Sequence, residues 1–121
     1  MTRALLLATL LLCGGCAEDV AGHWCGALVA KEGDCRGDDI GFLALYSEDG
    51  IITGQACEAY EHDCHLIEGG RLDGQRAHFT YRFEGGYVDA KLVVKGDLMV
   101  GTFYASKCAC DLAITMHRID G

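Results

Sequence analysis

The 121-residue chain contains no proline and a single tryptophan. Proline cannot donate to a β-ladder, so its absence suits a chain whose backbone N–H groups nearly all enter sheets. No long segment has a helical apolar period and no internal repeat stands out, which argues against bundles and solenoids. Positive charge is scarce: 10 Lys+Arg face 18 Asp+Glu, a net charge of −8. That balance argues against nucleic acid and anionic membrane surfaces as direct partners. Catalytic patterns are scarce too. Beyond the leader only two serines occur, Ser47 and Ser106, and neither sits in a nucleophile elbow. No glycine loop for phosphate is present. Glu58, Glu61 and Asp63 read as a solvated acidic loop. No enzyme is expected, and no cofactor.

What is present begins with a leader. Met1-Thr2-Arg3 is a short basic start and Ala4 to Leu12 an apolar run, followed by Cys13-Gly14-Gly15-Cys16. This layout is that of a secretory signal. Its end resembles a bacterial lipoprotein signal, with Gly15 before the cysteine to be lipidated, Cys16. Cys13 stands where leucine is commoner, which leaves ordinary cleavage after Ala17 as the alternative. The resemblance implies export, with residues 1–15 removed, a lipid on Cys16 and a tether over 16–21. Ala17-Glu18 after the cysteine resembles signals sorted to the outer membrane. Free secretion is the other localisation. The only membrane contact expected is the lipid. Removal of residues 1–15 takes away Arg3 and no acid, so the mature chain is more acidic still.

Residues 22–121 form one domain, enough for one modest core. Strands are expected at 22–30, 40–47, 51–57, 64–72, 76–83, 87–94, 98–104 and 108–119. Glu48-Asp49-Gly50, Asp73-Gly74, Glu84-Gly85-Gly86 and Lys95-Gly96-Asp97 are turns. Gly69-Gly70 suggests a bulge in the fourth strand. The fifth alternates cleanly, with Ala77, Phe79, Tyr81 and Phe83 on one face and Arg76, His78, Thr80 and Arg82 on the other. Eight short strands imply an all-β, antiparallel up-and-down meander, and eight is the number that closes a small barrel. A β-sandwich is the alternative.

Gly22-x-Trp24 on the first strand, with Arg118 near the end of the last, resembles the calycin pattern of lipocalins and avidin-like barrels. That resemblance implies that Trp24 closes one end while Arg118 packs across it. Arg118 lies on the otherwise apolar face of Cys110, Leu112, Ile114 and Met116, where stacking on Trp24 would offset the cost of the charge. It also implies an interior that holds a small apolar ligand, lined by Trp24, Phe79, Tyr81, Phe83, Leu92, Ile114 and Arg118. The alternative is an envelope protein-interaction module, such as a protease inhibitor, acting through loops at the open end.

Six cysteines lie beyond the leader: Cys25, Cys35, Cys57, Cys64, Cys108 and Cys110. In an exported domain an even number points to three disulfides. Cys57 and Cys64 flank a six-residue loop, which favours a bridge across that hairpin. With Arg118 beside Trp24, register brings Cys108 near residue 34 and favours Cys35–Cys108, leaving Cys25–Cys110. Cys25 and Cys110 face opposite ways, so the pairing of these four stays open. The competing reading is a metal site built from Cys57, His62, Cys64 and His65.

Overall fold

The computed structural model describes residues 19–30, 39–57 and 64–120. Its strands are β1 (Gly22–Ala30), β2 (Asp39–Glu48), β3 (Ile51–Cys57), β4 (Cys64–Asp73), β5 (Arg76–Phe83), β6 (Gly86–Lys95), β7 (Leu98–Ala105) and β8 (Cys110–Asp120). Each pairs antiparallel with its neighbour in sequence, and β8 returns to pair with β1, so the sheet is a closed barrel. The sandwich is thereby excluded.

Local chemistry sets the corners. Asp49 and Gly50 both have positive φ, 54° and 77°, as a two-residue hairpin turn with the right twist requires. The bulge falls where two glycines were found: register shifts between Glu68 and Arg71, with Gly69 at φ 62°. β8 begins two residues later than the pattern suggested. Ala109 turns left-handed at φ 52°, and its N–H donates to Ser106 O at 3.2 Å, which holds the preceding residues in a turn.

Period-two alternation then sorts the side chains. Inward positions include Trp24 and Leu28, Leu43 and Leu45, Ile52 and Ala56, Ala77, Phe79 and Tyr81, Val88 to Val94 on alternate residues, Met99, Phe103, Ile114 and Met116; all are buried. β1 and β8 approach closely, and a Cβ on Gly26 would lie 1.9 Å from Thr115 O and 2.6 Å from Met116 Cα. Both obstacles are backbone and cannot swing aside. Gly26→Ala should therefore cost about 2–3 kcal/mol, in the range of core overpacking, by urea unfolding. A loss under about 0.5 kcal/mol, an ordinary surface effect, would show that the β1–β8 seam has slack.

Candidate functional site

The barrel has two different ends. One contains the starts of odd strands and the ends of even ones, and there Trp24 is fully buried. Its indole Nε1–H donates to Val20 O at 3.0 Å. Val20 is itself fully buried, so the chain before β1 crosses this end and plugs it. Arg118 lies directly opposite Trp24 across the β1–β8 ladder, its guanidinium carbon 4.5 Å from the centre of the indole ring. Its Nε–H donates to Asp97 Oδ1 at 2.9 Å. Its remaining N–H groups reach backbone carbonyls: Asp19 at 2.7 Å, Gly96 at 2.9 Å, and Ala21. One planar cation thus ties the entering chain, the β6–β7 turn and the tryptophan together. The guanidinium suits this task because its donors fan out in a fixed plane while its face stacks on a ring. The side chain is 12% exposed.

This moves a boundary. Residues 16–21 were expected as a tether, but Val20 is core and Asp19 and Ala21 accept from Arg118, so the domain includes 19–21. Just outside, the His23 ring nitrogen stands 2.6 Å from Asp120 Oδ1 and the His23 N–H 3.1 Å from the same oxygen. The ring hydrogen bond, ahead of the backbone one, holds the Asp120 carboxyl below the ordinary carboxylate range.

The middle of the barrel is filled by its own side chains. Phe79 and Phe103 meet edge to face at 6.1 Å, and Tyr81 and Phe103 at 6.3 Å. Among the residues expected to line a ligand cavity, Trp24, Phe79, Tyr81, Leu92 and Ile114 are no more than 3% exposed. Phe79 and Tyr81 pack on Phe103, Trp24 on Val20 and Arg118, and the structure places all five in the core. Arg118 and Phe83 are partly buried, and Phe83 lies against the rim of that core.

Phe83 belongs to the other end, the mouth. There inward side chains are only partly covered: Ile67, Phe83, Cys108 and Leu112 pack on the core without being sealed by it. His65 is half-buried. Its ring stacks on Tyr81, 5.8 Å between centroids and 13° between planes, and tilts against Phe83 at 6.2 Å. Residues 31–38 and 58–63, which join strands at this mouth, lie outside the described residues, and so do His62, Cys35 and the interaction loops expected there.

No protein-family model, curated protein or solved structure matches the chain. The geometry alone carries the functional argument.

Cys57 and Cys64 are directly opposite on β3 and β4 and joined by a disulfide, as the hairpin reading expected. Cys25 is a free thiol, which corrects its assignment to a disulfide. It pairs with His117 on the outer face of β8, whereas buried Cys110 sits inward at the far end of that strand. Cys108 and Cys110 each take part in a disulfide. Their sulfurs are 3.5 Å apart, too far to be bonded to each other. The metal reading also fails. The thiols of Cys57 and Cys64 are consumed, and neighbouring positions such as Cys64 and His65 point to opposite faces of a strand. Among the described residues no cluster of three or more His, Cys, Asp or Glu could hold a metal ion.

Several contributors escaped the sequence reading. Phe103 was missed because β7 is apolar on both faces, so alternation names no inner side. Ile67 and Leu112 are aliphatics near strand ends, with no signal separating them from core. Asp97 was placed in a turn and nothing in that turn announces a guanidinium partner.

The latch predicts an asymmetry between two substitutions. Arg118→Met keeps an apolar stem over Trp24 but removes every donor, and should lower unfolding free energy by about 2–3 kcal/mol, the scale of charge-assisted hydrogen bonds. Arg118→Lys keeps the charge without the fan and should recover less than half of that. A methionine variant as stable as the parent in urea would refute the latch.

Proposed function

We propose that the protein is an exported, lipid-anchored binding module of calycin type that holds a small apolar ligand at the mouth opposite Trp24. One observation carries the reading. Burial is complete from the tryptophan to mid-barrel, and of the five apolar side chains only partly covered against the core, four (Ile67, Phe83, Cys108 and Leu112) lie at the mouth, with Leu72 at the closed end. His65, Ile67, Phe83 and Leu112 there form a half-covered apolar rim with one stacked aromatic edge. Binding sites combine apolar lining with a few polar groups in this way. Such a rim suits a flat or chain-like apolar group laid against it, and the His65 ring offers one polar contact. No group in it is arranged for bond making or breaking, which favours binding over catalysis.

Export enters the proposal on two supports: the leader ending Gly15-Cys16, and a hairpin disulfide on the outer face. Disulfides persist in oxidising compartments. The calycin reading draws support from the Trp24–Arg118 stack across the closed end.

Titration with Nile red, a neutral environment-sensitive dye, tests the mouth. The parent protein should take up the dye saturably. Leu112→Asp and Phe83→Asp should each weaken uptake at least tenfold, about 1.4 kcal/mol, while circular dichroism stays unchanged. Tyr46→Asp, on the exposed outer face, should bind as the parent does. No uptake, or equal loss in the Tyr46 variant, would sink the proposal.

The export reading has its own check. Protein made with its own leader, alkylated without reduction, should show an acyl-glyceryl group on Cys16, a blocked thiol at Cys25, and a second blocked thiol among the other five cysteines, an odd number that cannot all pair, by intact mass and peptide mapping. An unlipidated chain beginning after residue 17 would replace the anchor with free secretion.

A further inference from the structure

Charge on the barrel wall is segregated. Apart from Arg118, every Lys or Arg within a strand lies on three adjacent strands: Arg71 on β4, Arg76 and Arg82 on β5, Lys91 and Lys95 on β6. All five are exposed. Register puts Arg71 opposite His78, and His78 opposite Lys91. The row thus runs straight across three strands at the spacing of neighbouring chains, about 5 Å.

Arg71 and Lys91 flank His78 in that row. Carboxylate neighbours pair with only some of these groups. Glu68 accepts from Arg82 at 3.1 Å, and Asp89 stands 2.7 Å from the His78 ring. Asp73 faces Arg76 across the turn. Arg71, Arg76, Lys91 and Lys95 make no ion pair or side-chain hydrogen bond among the described residues. β5 carries no acid at all, in a chain with 18 Asp+Glu.

We propose that the outer face of β4–β6 docks an acidic segment of a partner protein, whose carboxylates pair with Arg71, Arg76, Lys91 and Lys95. Charge complementarity selects the sign: an anionic partner meets this wall favourably and is repelled by most of the rest of the surface. The neighbours select a protein. Arg76 stands opposite Val93, which stands opposite Val100, both half-buried and facing outward. Nearer the mouth, the rings of Tyr87 and Tyr104 lie 6.3 Å apart. Arginine and tyrosine beside aliphatic surface is the composition of protein interfaces. A flat anionic membrane fits less well, because the closed-end rim near Arg71, Arg76 and Lys95 carries Glu48, Asp49, Asp73 and Asp97, all exposed. This surface is distinct from the mouth, so the proposal stands or falls independently of the ligand reading.

The test uses the full mature chain and two defined probes, poly-glutamate and a 4:1 glutamate–tyrosine copolymer of equal length, by calorimetry at low salt. Both should bind, the copolymer at least threefold tighter, and binding should fall tenfold or more at about 0.3 M salt through screening. The Arg76→Glu/Lys91→Glu double variant should lose binding at least tenfold. Lys107→Glu, at the mouth, should leave it unchanged. Amide shift changes should map to β4–β6 and the adjacent face of β7. No binding of either polymer, equal binding of the two, or an equal loss in the Lys107 variant would overturn the proposal. So would tighter binding to phosphatidylglycerol vesicles or to a single-stranded oligonucleotide in the same buffer.

Discussion

A closed sheet of eight strands removes every edge, but it leaves two open ends, and one of them is sealed by the guanidinium of Arg118. The cation stacks on a fully buried indole and spends its donors on three backbone carbonyls and one carboxylate. Those carbonyls come from segments far apart in sequence, the chain before β1 and the turn between β6 and β7. The Trp24 indole N–H adds a second tie to the entering chain through Val20 O. The charge tolerates its position because every direction it faces is occupied by an acceptor or a ring. Removing it would unfasten the first turn of chain, expose Val20 and Trp24, and leave the β1–β8 seam as the only closure.

Much of this was legible because a β-strand has a strict period of two. On β5, and on β6 from Val88 to Leu92, apolar and polar residues alternate without error, so the inner face, the barrel class and the hairpin turns follow from the sequence. Trp24 and Arg118 were legible for a different reason: one is the sole tryptophan, and the other is a charge on an apolar face. Legibility fails where the period carries no contrast. β7 offers Leu98, Val100, Thr102 and Tyr104 on one face and Met99, Gly101, Phe103 and Ala105 on the other, a weak contrast, and the pairing with β6 and β8 decides which side turns inward.

The cysteines show the same limit. Spacing identified the bridge between Cys57 and Cys64, because two cysteines flanking a short loop between paired strands end up opposite one another. It failed for Cys25, where even counting overrode direction. Cys25 and Cys110 point to opposite sides of the barrel wall, and no register within a closed sheet reverses that. The proposed metal set fails on the same geometry, since residues 64 and 65 are adjacent in sequence and separated by the wall.

A small barrel filled by its own side chains cannot place function where larger barrels do. The aromatic residues that suggested a ligand cavity are the ones that pack the centre, Phe79 and Tyr81 against Phe103. The proposed recognition surfaces are accordingly ones the core does not need, and the two differ in kind. The mouth is apolar among the described residues, because the inward faces of the strands end there at Ile67, Phe83 and Leu112. The β4–β6 wall is convex and cationic, and its charges cannot be a by-product of core packing, since outward positions are free to vary without disturbing the interior. An acidic chain gathers on adjacent strands cations that make no ion pair among the described residues, and a partner's carboxylates would supply those pairs.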